Sequence, residues 1–183
     1  MADQITGYLS PFLRNRRIKA ALPYMNGNIL DYGCGTGKLA EYIPAKRYLG
    51  VDIDKESIDI ACTNYAGHRF FTLDNFNIGE TKFDTIVSLA VIEHIKDPGS
   101  FLGLLTNSLT QNGSIVITTP HPFFESIHKL GSKIGIFSKA ANDEHEELID
   151  LERMKYYIKD LPLRIVSYKR FLFFANQLFV FKI

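Results

Sequence analysis

A chain of 183 residues can bury one full core, and at about 150 residues per domain it is too short for two. With 46% hydrophobic, 13% aromatic and 22% charged residues and a formal net charge of +1, its composition is that of an ordinary globular protein. That balance excludes a disordered or strongly polyionic chain, and it leaves non-specific nucleic-acid binding without an electrostatic basis.

From residue 28 onward, short β-rich runs alternate with segments of helical period, the pattern of a doubly wound α/β sheet with helices on both faces. Ahead of it, residues 11–22 carry Arg14, Arg16, Arg17 and Lys19 on a helix packed before the first strand. Strand 1 is expected over 28–32, a first helix over 37–43 that Pro44 helps to end, strand 2 over 48–51, and a second helix over 55–64 capped by Asp54. Strand 3 follows near 70–72 and strand 4 near 84–89. Asp97-Pro98 opens a helix whose leucines recur at 102, 105 and 109, and Asn112-Gly113 closes it with a turn. Strand 5 covers 114–118 and stops at Pro120. Leu151, Met154, Tyr157 and Ile158 make one more amphipathic helix, and 164–168 and 177–182 end the chain as two strands. The expected single domain thus divides into an N-terminal helix region (1–27), a ligand-binding half (28–120), an insertion (121–149), and a C-terminal helix with its strand pair (150–183).

Ligands of an open parallel sheet bind beyond the carboxyl ends of the strands, and NILDYGCGTGKLAEYIP lies at the first such end. Gly33 and Gly35 permit positive φ and offer no side chain, and Gly37 lets the following segment start close to the strand. The spacing is GxGxG, with Lys38 where a dinucleotide fingerprint needs its third glycine. No P-loop exists either, because Leu39 follows the lysine. Asp52 ends strand 2 nineteen residues after Gly33, the distance at which a carboxylate can take both hydroxyls of a ribose. Each feature alone has a structural alternative, a tight turn for the glycines and a helix cap for the aspartate; together in one βαβ unit they favour an adenosine-like ligand.

These segments resemble the class I S-adenosylmethionine-dependent methyltransferases, in particular the methyltransferase type 11/12-like group that pairs a DxGCGxG loop with an EH dipeptide after strand 4. The likeness covers residues 28–120. It implies a Rossmann-like, doubly wound, seven-stranded and mostly parallel sheet with the last strand antiparallel, in a three-layer αβα sandwich. It further implies S-adenosyl-L-methionine as cofactor and methyl transfer to an oxygen or nitrogen of a small-molecule acceptor. Carried over by position, ILDYGCGTG supplies Asp31, Gly33, Cys34, Gly35 and Gly37. VDID supplies Asp52 for the ribose and Ile53 against the adenine. Asp74 in LDN would bond the adenine amino group with Asn75 beside it, and in FDTIVSLAVIEHI the backbone near Leu89 and Ala90 would face the methionine part. LTQNGSIVITTP resembles the family's post-strand motif usually written LKPGG, although Gln111-Asn112 replaces Lys-Pro and one glycine remains. Some quinone-pathway relatives hold a metal with ExxEH; Ala90 stands in place of the first glutamate, so no metal is expected.

Transfer from a sulfonium is an in-line displacement in which alignment can contribute up to ~7–11 kcal/mol. A hydroxyl acceptor also needs a base, and His94 and His121 both follow strand carboxyl ends. Their structural alternatives are a helix start beside Glu93 and a turn between two prolines; His145, in an acidic segment, is a third and more remote candidate. Within 121–149, Phe123, Phe124 and Phe137 would line an apolar acceptor pocket under a lid, with His128 or Lys129 near an anionic group, or the segment is two short amphipathic turns. Arg14 to Arg17 could reach the cofactor carboxylate.

Cys34 and Cys62 form no CxxC pair, and no histidine cluster stands at metal spacing, so a reducing cytoplasm fits. The first ten residues lack the apolar region of a leader, and no run reaches the roughly 18–20 apolar residues of a membrane span. The expected partner is therefore a small-molecule acceptor, without nucleic acid or a membrane span, for a cytoplasmic monomer or homodimer. Two readings remain beside the methyltransferase: a nicotinamide-dependent oxidoreductase, opposed by Lys38, and a cofactor-binding regulatory or scaffold protein with a vestigial site.

Overall fold

Seven strands form one sheet in the computed structural model, which describes residues 9–78, 81–122 and 149–183. Helix α1 (Leu9–Ala21) precedes β1 (Ile29–Tyr32) and β2 (Tyr48–Asp52); α2 (Lys55–Asn64) leads to β3 (Arg69–Thr72) and β4 (Phe83–Leu89). Helix α3 (Pro98–Thr106), β5 (Leu109–Pro120), α4 (Leu151–Ile158), β6 (Arg164–Phe171) and β7 (Asn176–Lys182) complete the described chain. The sheet order is β3-β2-β1-β4-β5-β7-β6, parallel from β3 to β5, with β7 antiparallel between β5 and β6. This is the mostly parallel seven-stranded arrangement, with its antiparallel last strand, that the motifs implied.

Side chains of successive strand residues point to opposite faces, so each strand feeds two cores. Leu30, Ile86, Ile115, Ile117, Phe179 and Phe181 pack with Phe101, Leu102 and Leu105 of α3 and Met154 and Ile158 of α4. On the other face Ile29, Val87, Val116, Leu178 and Val180 meet Ile18 and Ala21 of α1 and Ile58 and Ala61 of α2. Helices therefore cover both faces, as three layers require. The chain runs outward from β1 through β2 to β3 and then returns to β4 on the other side of β1. That reversal opens a crevice at the carboxyl ends of β1 and β4, where open sheets of this kind bind ligands.

The helix starts are chemically marked. Asp54 accepts hydrogen bonds from the Glu56 and Ser57 amides, Asp97 from Ser100, and Asp150 from Arg153, each satisfying N–H groups the first turn leaves unpaired.

Three expected elements differ. The helix over 37–43 is a 3₁₀ turn, Lys38–Tyr42, because Gly37 is left-handed at φ 77° and Pro44 leaves too few residues to repay α-helical nucleation. Glu93 and His94 likewise lie in a 3₁₀ turn, Ile92–His94, separate from α3. The helix before β5 ends at Thr106 rather than at Asn112-Gly113, and Gly113 lies within β5. There a Cβ would stand 3.0 Å from the Leu109 side chain, at the point where the β4–β5 register shifts. Of the expected 121–149 cover, Phe123, Phe124, His128, Lys129, Phe137 and His145 fall outside the described residues.

Candidate active site

The loop leaving β1 is pinned to the end of β2, since the Gly33 and Cys34 amides both donate to Val51 O, at 2.8 and 3.0 Å. Gly33, Gly35 and Gly37 have φ of 78°, 51° and 77°, a region L side chains rarely adopt. Their clearances differ. A Cβ on Gly33 would lie 2.3 Å from Val91 Cγ2, and one on Gly37 would lie 2.9 Å from the Phe70 ring, whereas nothing stands within 4 Å of one on Gly35. Two of the glycines make room for the protein's own side chains, and Gly35 alone borders open space. Cys34 donates to Gly35 O, and burial together with the negative charges of Asp31 and Asp52 raises its pKa, so it fills the bend as an un-ionised thiol.

Asp52, at the end of β2, braces this loop. Its Oδ2 accepts the Gly35 amide at 2.7 Å and its Oδ1 the Asp54 amide at 3.0 Å. Each carboxylate oxygen has a second lone pair, so the group retains capacity for two further donors. Ile53, next in sequence, is 81% exposed, a large apolar side chain held out beside the loop. Thr72 pairs with Asp52 across the sheet, which brings the exposed Asp74 and Asn75, on the turn Leu73–Asn75, to the same edge. Asn75 donates to Thr72 Oγ1 at 2.8 Å. Leu89 ends β4, and Ala90 follows at φ 61° with its amide on Thr118 O, so the backbone bends sharply where β4 meets the crevice. Asp31 is buried within β1 and accepts the Tyr48 hydroxyl at 2.7 Å.

The β4 and β5 ends have another character. Glu93 is only 4% exposed, and burial raises its pKa against the opposing pull of Arg17 and His94. Its Oε2 has no hydrogen-bond partner among the described residues, nor do Ser88 Oγ and Thr118 Oγ1. Arg17, reaching across from α1, donates to Asn176 Oδ1 of β7 at 2.7 Å. His94 is exposed beside Glu93, whereas His121 is buried with its amide on Ala175 O. Burial and then the Arg170 charge lower the His121 pKa, with Asp150 opposing, so its ring is neutral around pH 7.

Phosphate-cradling and hydride-transfer sites need the glycine geometry that Lys38 interrupts; this loop instead offers one open glycine, a carboxylate and an apolar plate in a row. A family model described as a methyltransferase domain matches residues 6–167. The chain belongs to this methyltransferase domain family. Among curated relatives, it is 32% identical over 124 residues to the mitochondrial ubiquinone biosynthesis O-methyltransferase of Dictyostelium discoideum, a match of 57% of this chain and 39% of that protein. The ubiquinone biosynthesis O-methyltransferase of Bartonella tribocorum is 34% identical over 116 residues, 57% of this chain and 46% of that one. The chain thus spans less than half the length of these relatives. Solved structures share the fold at low identity. Magnesium protoporphyrin IX methyltransferase from Synechocystis, with bound SAH, superposes at a TM-score of 0.73 with 13% identity, covering 97% of this chain and 88% of that one. A SAM-dependent methyltransferase from Archaeoglobus fulgidus gives 0.71 with 17% identity and 95% coverage of both.

The methyltransferase domain therefore gathers Asp31, the glycine loop, Asp52, Ile53, Asp74, Asn75, Leu89 and Ala90 at one end of its sheet. Arg14 joins them, its guanidinium donating to Thr36 Oγ1 at 3.2 Å and tying α1 to the loop tip. Tyr48 and the Arg17–Asn176 link to β7 escaped the sequence reading. Tyr48 looks like one more apolar strand residue, and the Arg17–Asn176 pair is 159 positions apart in sequence. Among the described residues, no group of three His, Cys, Asp or Glu side chains converges as a metal site, and no helix is long and apolar enough to cross a membrane.

Proposed function

We propose that this methyltransferase domain uses S-adenosyl-L-methionine to methylate an oxygen of a small-molecule acceptor. The carrying observation is the open face of Gly35, braced by Asp52 and flanked by exposed Ile53. The curated relatives are named O-methyltransferases, which favours a hydroxyl over an amine.

Bound there, the cofactor supplies an activated methyl on a sulfonium leaving group. The chain's residues fit such a ligand. Gly35 leaves room for its amino-acid end, Asp52 has lone pairs for the two ribose hydroxyls, Ile53 offers an apolar face to the adenine, and Asp74 and Asn75 stand at the adenine edge. Arg14 stands at the loop tip, where a cationic fork suits a carboxylate. For the acceptor's proton, His121 is a neutral ring at the β5 end and His94 an exposed one after β4. The domain division of the chain, with residues 121–149 as an acceptor cover, belongs to the same proposal.

Isothermal titration with S-adenosylhomocysteine tests the reading. Wild-type protein is expected to bind at micromolar levels, and Asp52→Ala to weaken binding about 30- to 100-fold through lost charged hydrogen bonds. Absence of wild-type binding, with nicotinamide cofactor bound instead, overturns the proposal in favour of an oxidoreductase. Binding without product formation across phenols, alcohols and amines favours a regulatory or scaffold role.

A further inference from the structure

We propose that Tyr48 is a positioning residue for the cofactor: its buried hydroxyl, 2.7 Å from Asp31 Oδ2, orients that carboxyl beneath the glycine loop toward the cationic end of the ligand, making affinity depend on this one pair. The inference rests on the methyltransferase reading above.

Tyr48 opens β2, where a buried strand position needs only an apolar side chain. A phenylalanine would make the same edge-on packing against Phe70 and His68, whose rings lie 5.5 and 5.4 Å away. The hydroxyl adds one thing, the 2.7 Å hydrogen bond to Asp31 Oδ2. Fully buried polar groups of this size are costly unless paired, so the phenol and the carboxyl explain one another.

Sheet register shows how the bond is built. Tyr48 stands opposite Ile29, and Gly50 opposite Asp31, so the tyrosine must lean two residues along β2 to reach the acid. Gly50 is what lets it pass. A Cβ there would lie 2.9 Å from the Tyr48 hydroxyl, 3.0 Å from Cys34 Sγ and 2.7 Å from the Phe70 ring. The same small space joins the phenol, the acid and the bend of the glycine loop.

The pair leaves a buried carboxyl directly under a ligand-binding loop, where an apolar residue would be more stabilising. Burial pushes the Asp31 carboxyl up to about 7; the Tyr48 hydrogen bond works against that rise and the charge of Asp52 adds to it. Asp52 and Tyr48 from β2 and Cys34 from the loop are the titratable groups facing it, and burial raises the pKa of the last two, so neither ionises first. A cation at the loop favours ionised Asp31. Cofactor affinity is therefore full well above pH 7 and falls as the carboxyl protonates through that range. Without the Tyr48 donor, protonation begins at higher pH.

Titration of S-adenosylhomocysteine against wild type and Tyr48→Phe from pH 6 to 9 tests this, because the ligand's own amino group titrates identically in both. The expected ratio of dissociation constants is about fivefold at pH 7 and under about twofold at pH 9. A ratio that is constant with pH marks a purely structural tyrosine and overturns the inference, as does no change at all. A second measurement needs no ligand: the ¹³C titration of the Asp31 carboxyl in wild type and Tyr48→Phe. A midpoint that rises in the variant supports the pair, and an unchanged midpoint overturns it. If wild-type protein does not bind the ligand, the methyltransferase reading fails while the carbon titration still reports on the pair.

Discussion

The two halves of the crevice solve opposite problems. On the β1–β3 side, Asp52 has both oxygens on backbone amides, Asp74 and Asn75 are exposed, and Ile53 stands out from the surface. The Asp52 and Asn75 side chains there already hold protein hydrogen bonds, to which the proposed ligand would add. On the β4–β5 side, Glu93 Oε2, Ser88 Oγ and Thr118 Oγ1 are buried without a hydrogen-bond partner among the described residues, in an environment where an unpaired polar atom costs about 1–3 kcal/mol. The first half is a preformed platform. The second holds buried polar atoms unpartnered among the described residues, beside the two histidines proposed for the acceptor's proton.

The glycine loop offers the largest test of this contrast. Gly33→Ala drives a methyl group to 2.3 Å from Val91 Cγ2 in a left-handed conformation, and is expected to destabilise the fold by about 3 kcal/mol in urea denaturation. Gly35→Ala meets no neighbour; it should lose only about 1 kcal/mol of stability yet weaken S-adenosylhomocysteine binding about tenfold or more. Equal stability losses at the two positions would erase the distinction between a packing glycine and a ligand glycine.

Glu93→Gln probes the other half. A carboxyl whose folded pKa is raised gives its full stability at low pH, where it is neutral in both states, and loses it as pH rises past the unfolded value of 4.5 toward the folded one. Glutamine has no such loss. The variant is expected to match wild type below about pH 4 and to be about 1–2 kcal/mol more stable near pH 8, measured by thermal unfolding in matched buffers. A variant that matches wild type below about pH 4 but is less stable near pH 8 would show that attraction to Arg17 outweighs burial. The smallest effect is expected at Ala90, whose φ of 61° glycine tolerates better; Ala90→Gly should raise stability by at most ~1 kcal/mol, and a loss would show that the methyl group packs.

Much of the platform could be read from the sequence because it is local. Gly33, Gly35, Gly37 and Asp52 lie within one βαβ unit, where spacing along the chain dictates spacing across adjacent strands. The alternation of apolar residues similarly determined the seven strands and the two-sided sheet, and Asp54 was legible as a cap from its place before Lys55. The expected helix at 37–43 failed for a local reason as well, because Gly37 that serves the loop also denies the helix its first turn.

Only the tertiary structure decided which glycine faces open space, since Val91 and Phe70 arrive from β4's end and from β3 to occupy the other two positions. It also decided that Arg14 meets Thr36, that Arg17 reaches Asn176, that Glu93 is buried, and that Tyr48 reaches Asp31 over Gly50. A sequence pattern reports the period of a chain and the chemistry of its turns. Burial, desolvation and a hydrogen bond between distant residues depend on which surfaces the sheet order brings together, and that order is a property of the whole fold.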